Sequence, residues 1–135
     1  MLNYPPKILL AFGEAISGNN KIINWLLKNG YPELAALANS IHANEQAFDW
    51  LVKNHFPHLA ALSNAIDDDD KAHKWLMDNN YKFLAIFSDA CHSEEKAIAW
   101  FNNNDLKLFT LIAHKVYEVK VQQHRDYDDY HKMHF

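Results

Sequence analysis

The four tryptophans of the chain, Trp25, Trp50, Trp75 and Trp100, stand 25 residues apart. Aligned on that period, most columns are chemically uniform. The blocks read KIINWLLKNGYPELAALANSIHANE, QAFDWLVKNHFPHLAALSNAIDDDD, KAHKWLMDNNYKFLAIFSDACHSEE and KAIAWFNNNDLKLFTLIAHKVYEVK. A half-copy, LLAFGEAISGNN (Leu9 to Asn20), precedes them and matches the second half of a block. Self-similarity at a fixed period of this size is the signature of a repeat array, in which each unit hides its apolar face only against its neighbours.

Each block reads as two helices. Ile22, Trp25 and Leu26, then Ala47, Trp50 and Leu51, follow the i, i+3, i+4 spacing of one helix face. Acidic residues gather where this helix starts, at Glu45, Asp68 to Asp70, Glu94 and Glu95, favourable at the positive end of the helix dipole. Its stop is a Schellman pattern. Gly30, His55, Asn80 and Asp105 supply residues tolerant of positive φ. The next position is always large and apolar (Tyr31, Phe56, Tyr81, Leu106), matched to Leu26, Leu51, Leu76 and Phe101 one turn earlier. Asn29, Asn54, Asn79 and Asn104 precede the stop without exception, and their amides are expected to bond carbonyls in their own loop and in the neighbouring repeat.

The second helix begins at Pro32, Pro57, Lys82 and Lys107. Its core stripe is Leu34, Leu37, Ala38 and Ile41, with equivalents in each later copy. The expected fold is therefore all-α: an α-solenoid of four 25-residue helix-pair repeats, with an N-terminal half-repeat and a C-terminal extension. Residues 1–118 form the repeat domain and 119–135 the tail or cap. Layers roughly 8–10 Å apart would give a stack about 40–45 Å long. The tryptophans are expected to be the buried knobs between repeats, so that Trp50→Ala costs roughly 3–5 kcal/mol. The rival is an aromatic ladder on an open surface.

At YPELAALANS…EQAFDWLVKNHF, Tyr31 to Phe56, the pattern resembles an ankyrin repeat. That family also pairs a Pro-x-x-Leu-Ala-Ala helix with a Val-x-x-Leu-Leu-x-x-Gly helix. Ankyrin units are 33 residues long and project a β-hairpin, whereas these have a period of 25 and lack the Thr-Pro-Leu-His opening. What the resemblance implies is a partner-binding scaffold of ankyrin-like helix pairs, without the hairpin edge.

In such a scaffold the variable columns are the candidates for partner binding. One runs Glu33, His58, Phe83, Leu108, and another Ala36, Ala61, Ile86, Leu111. Both turn bulky and apolar toward the C-terminus, so something must cover the last repeats. The tail VQQHRDYDDYHKMHF is one candidate cover, and a second copy in a homodimer is another. Glu33, His58, Phe83, Ile86, Leu108 and Leu111 are the expected partner-binding residues. Charge also divides the two edges of the stack. Loops entering the first helix are acidic, and loops leaving it carry Lys28, Lys53, Lys82 and Lys107. This serves helix dipoles and solubility, or else docks a basic partner.

Catalytic motifs are not found: there is no Gly-rich phosphate loop, no Gly-x-Ser-x-Gly elbow, no His-Glu-x-x-His and no Cys-x-x-Cys. Asp67 to Asp70 lack the alternating spacing of a calcium loop. Cys91 sits in a core column and reads as packing, not as a nucleophile. Among nine histidines one constellation stands out. His124, Asp128 and His131 would share a helix face at i, i+4, i+7, a possible three-ligand divalent metal site whose simpler reading is a solvated face. No cofactor is expected. A net charge of −4 gives no general pull toward nucleic acid or an anionic membrane. The single cysteine and the short apolar run ILLAF suit a cytoplasmic protein. The expected function is a non-catalytic protein–protein interaction scaffold. The alternatives are a structural protein that self-assembles through its apolar C-terminal face, and a metal-dependent enzyme using the tail histidines.

Overall fold

The computed structural model describes residue 1 and residues 3–133. His134 and Phe135 of the C-terminal segment lie outside the described residues. The helices are α1 (Pro6–Ile16), α2 (Asn20–Lys28), α3 (Pro32–Ile41), α4 (Glu45–Lys53), α5 (Pro57–Ile66), α6 (Asp70–Asp78), α7 (Lys82–Cys91), α8 (Glu95–Asn103) and α9 (Lys107–Met133). Four helix pairs follow an N-terminal single helix, and no strand occurs among the described residues. This is the all-α repeat arrangement that the period implies.

Both kinds of turn are Schellman stops. After the even-numbered helices, φ is positive at Gly30, His55, Asn80 and Asp105. The closing bond runs from Tyr31 N to Leu26 O (2.9 Å), with equals at Phe56, Tyr81 and Leu106. Each preceding asparagine donates its side-chain amide to the tryptophan carbonyl four residues back, at 2.7–2.8 Å. The asparagines thus seal their own helix end, and these bonds do not cross to the neighbouring repeat. After the odd-numbered helices, Gly18, Ala43, Asp68 and Ser93 take positive φ. The next residue closes the stop, and in three of the four turns it also caps the following helix. Asn19, Asn44 and Asp69 each accept from backbone N–H groups of its first turn.

The fully buried residue of each even-numbered helix is Leu26, Leu51, Leu76 or Phe101. The tryptophan one position earlier is not the buried knob that the sequence suggested. Trp75 and Trp100 are 37% and 38% exposed, while Trp25 and Trp50 are half-buried. Each ring lies on the shoulder of the interface against another side chain. Trp50 stacks on Phe56 at 5.9 Å, Trp75 on Tyr81 at 5.9 Å, and Trp100 meets Phe83 edge-on at 6.2 Å. Lys7 Nζ sits 5.9 Å from the Trp25 ring centre. The leucine or phenylalanine fills the gap between layers, and the indole lies beside it.

The odd-numbered helices bury most of their length and form the inner layer, and the even-numbered ones lie outside them. Successive inner helices pack side by side, α1 on α3, α3 on α5, α5 on α7, and α7 on α9. The last then packs on the first, so the five make a closed circuit in place of an open stack. The same columns meet at each junction. Ser40 and Ser63 hydroxyls are 2.6 Å apart between α3 and α5. In the equivalent place between α9 and α1, Lys115 covers Gly13, where an added Cβ would already lie 3.4 Å from Lys115 Cδ. Lys115 also reaches Glu14 at 3.7 Å. The cover of the apolar last repeat is therefore chiefly α1, the N-terminal half-repeat.

The N-terminal segment and the α9 extension lie over opposite rims. At the start of the inner helices, Met1 and Tyr4 pack on the core. The Tyr4 hydroxyl donates to Glu33 Oε1 at 2.8 Å. At the other rim, α9 runs without interruption past residue 118, about 40 Å in all, and leans across the ends of α3 and α5. There His42 and His92 donate through Nε2 to the last carbonyls of α1 (Ile16 O, 2.6 Å) and α5 (Ile66 O, 2.8 Å). The equivalent residue on α5 is Asp67, which cannot donate to a carbonyl. Lys120 of α9 takes its place, bonding Ile41 O at 2.8 Å and Asp67 at 2.6 Å, with Gln123 adding a bond to Ile41 O. A lysine at a helix C-terminus is also favoured by the dipole.

Candidate functional site

The expected partner-binding residues do not share one surface. Glu33 is buried beneath Tyr4. His58 is half-buried, its ring stacked on Tyr81 at 5.0 Å and 9°. Burial, and then the nearby N-terminal amino charge, push its pKa down. Phe83 is half-buried and packs edge-on against Phe109 at 5.0 Å and Phe101 at 5.5 Å. Ile86 and Leu108 are half-buried as well. Of the six, Leu111 alone is an exposed apolar side chain. In the column Glu33, His58, Phe83, Leu108, the first residue lies under Tyr4 and the next two lie against aromatic rings, so each meets a different surrounding.

A recurring set of exposed apolar side chains lies on the outer helices. Leu27, Val52 and Met77 stand two positions after successive tryptophans, and all three are exposed. With Trp75 and Trp100 they form a stripe across α2, α4, α6 and α8. Between two outer helices the stripe dips into a shallow groove of about 270 Å³, with Leu27 on one wall, Trp50 on the other and Ala36 on its floor. The sequence carried a signal for it. Leu27, Val52 and Met77 are apolar residues next to, yet off, the i, i+3, i+4 stripe that faces the core.

A second cleft, of about 630 Å³, lies where the α9 extension crosses the ends of α5 and α7. Asp67, Cys91, His92, Lys120, His124 and Tyr127 line it. Cys91 is buried, and burial first, then the Asp89 charge, hold its thiol pKa well above the ordinary range against the opposing charge of Lys120. A thiol so placed stays protonated and packs as a small apolar group. Beside the cleft, His73 pairs with Asp89 at 3.0 Å and His92 with Asp68 at 3.2 Å, within the acidic rim that the loops implied.

Helix α9 spans His124, Asp128 and His131, so the three do fall along one face. Among the described residues, no three His, Cys, Asp or Glu side chains come close enough together to hold a metal ion. Nor is any helix there long and apolar enough to cross a membrane. Compared with protein-family models, with curated proteins and with solved structures, the chain matches none. No repeat family is assigned on that basis.

Proposed function

We propose that the chain is a non-catalytic scaffold for protein–protein contacts, an ankyrin-like use of helix pairs without hairpins, working in the cytoplasm. The observation that supports this most is the exposed stripe of Leu27, Val52, Met77, Trp75 and Trp100. Exposed apolar residues beside tryptophans, repeated from one outer helix to the next, have the composition of a contact surface with anchor residues. It rides on helices each sealed by an asparagine at the C-terminal end, and in α2, α4 and α6 capped at the N-terminal end, so a partner meets a preorganised surface. Repetition at the inter-helix spacing suits an elongated partner segment laid across α2, α4 and α6.

The test is affinity capture from a lysate of the source organism, with wild-type chain and a Val52→Asp/Met77→Asp variant as parallel baits. Both positions are exposed, so the variant keeps its fold. A protein held by the wild type and lost by the variant supports the stripe as the contact surface. A protein held equally by both moves the surface elsewhere. Capture of nothing but the chain itself favours the other reading, self-assembly, which the exposure of Leu111 on the last repeat supports.

A further inference from the structure

The circuit has five inner helices and four outer ones. Each outer helix lies over a junction between inner helices: α2 on α1 and α3, α4 on α3 and α5, α6 on α5 and α7, α8 on α7 and α9. The fifth junction, between α9 and α1, has no outer helix among the described residues. Two columns register the difference. Ala35, Ala60 and Ala85 are buried, and their counterpart on α1 is Leu10, 52% exposed. Ala36, Ala61 and Ile86 are buried or half-buried, and their counterpart on α9 is Leu111, 49% exposed. At both flanks of the open junction a leucine stands bare where most covered repeats hold alanine.

We propose that the α9–α1 junction is a docking groove for an amphipathic helix of a partner protein, which takes the place of the missing fifth outer helix. Four occupants of equivalent grooves are already in the molecule and define the chemistry. Each presents an apolar residue, a tryptophan three positions on, and a leucine or phenylalanine next to it: Ile22, Trp25, Leu26; Ala47, Trp50, Leu51; Ala72, Trp75, Leu76; Ala97, Trp100, Phe101. The leucine or phenylalanine is fully buried in every case. Outer helices run opposite to inner ones, so the docked helix would begin near Ser17 and end between Lys7 and Lys107. Both lysines are exposed, and they complement the negative end of its dipole and any acidic residues in its last turn. This is a helix-in-groove contact read as i, i+3, i+4 anchors. It rests on the reading of the chain as a partner-binding scaffold, but it uses none of the residues of the outer stripe.

The probe is a helix-stabilised synthetic peptide of the α8 sequence, EKAIAWFNNND, titrated into the isotope-labelled full chain and followed by amide chemical shifts. Shifts gathered on α1 around Leu10 and on α9 around Leu111, with Val52 and Met77 unmoved, are the expected result. Leu10→Asp and Leu111→Asp should each weaken the peptide about tenfold or more, with melting curves unchanged because both sites are exposed. A peptide with aspartate at both aromatic anchors should give no shifts. The proposal is overturned if the native peptide moves no amide at millimolar concentration, or only those of the stripe. It is also overturned if the chain alone shows a concentration-dependent mass that Leu111→Asp abolishes, since the groove would then belong to a second copy. Any of these failures leaves the stripe reading to stand or fall on Val52→Asp/Met77→Asp.

Discussion

Truncating Leu76 should destabilise the chain at least as much as truncating its much larger neighbour, Trp75. Leu76 is fully buried between layers. Leu76→Ala removes three carbons from a closed site, about 2.4 kcal/mol of transfer free energy at about 0.8 kcal/mol each. The cavity that remains adds about 1 kcal/mol, for a total of about 3–4 kcal/mol. Trp75 is 37% exposed, and its main fixed partner is the Tyr81 ring, stacked at 5.9 Å and 11°. Losing that pair costs about 0.5–1.5 kcal/mol beyond the area it buries, and the buried part of the ring adds about 1.5–2 kcal/mol of transfer free energy. Water fills the open site, so no cavity term follows. Trp75→Ala should therefore cost about 2–3.5 kcal/mol, no more than Leu76→Ala although it removes about three times as many heavy atoms. At about 3 °C per kcal/mol for a chain of this length, Leu76→Ala lowers Tm by about 10 °C and Trp75→Ala by about 8 °C. Thermal melts followed by far-ultraviolet circular dichroism would read both. A Trp75→Ala variant clearly more damaged than Leu76→Ala would refute the assignment of the knob to the position after the tryptophan.

Other outcomes follow from individual contacts. Ser88 Oγ is buried without a hydrogen-bond partner, because the column that gives Ser63 its partner Ser40 holds Ala65 one repeat on. Ser88→Ala should raise stability by about 1 kcal/mol, while Ser63→Ala, which strands Ser40, should lower it by about 1–2 kcal/mol; urea midpoints compare them. Burial holds the His58 pKa below its ordinary value, so the unfolded chain binds this proton first as pH falls. The stability it contributes is present above about pH 6.5 and is lost as pH drops toward the folded value. Between about pH 7.5 and about pH 5 the wild type should thus lose more stability than His58→Phe, and an identical loss would contradict the burial argument. Gly13→Leu should open the α9–α1 contact against Lys115 and cost about 1–3 kcal/mol. Gly13→Ala, whose Cβ meets Lys115 at an ordinary 3.4 Å, should gain helix propensity and be neutral or better.

What was legible in the sequence was whatever each repeat decides for itself. The Schellman stops at Gly30, His55, Asn80 and Asp105 depend on residues within one turn, so their columns carry the full signal. The turns after the inner helices escaped notice. Their positive-φ column mixes Gly18, Ala43, Asp68 and Ser93, of which alanine gives no hint of that conformation. The tryptophans misled because periodicity marks an interface without saying which of two adjacent apolar residues fits its gap. Closure was illegible for another reason: it depends on the angle turned per repeat, which no single residue encodes. Its local traces were Gly13, the one glycine in the small-residue column Gly13, Ala38, Ser63, Ser88, Ala113, and Lys115, the one large residue in the column Ala15, Ser40, Ala65, Ala90, Lys115. The candidate site shifted as well, since of the residues chosen as exposed Glu33 is buried beneath Tyr4 and His58, Phe83, Ile86 and Leu108 are half-buried.

Closure of the circuit is the central claim, and the distance between α1 and α9 tests it directly. Spin labels on Leu10→Cys and Leu111→Cys, in a Cys91→Ala background, place one probe on each side of the junction. Adjacent helices 8–10 Å apart predict a pulsed electron–electron distance below about 25 Å once label arms are included. An open stack would separate the first and last inner helices by four such steps, about 32–40 Å. A narrow distribution at the short distance is the result expected here. A distribution centred beyond about 30 Å would contradict the closed circuit, and with it the groove at its fifth junction.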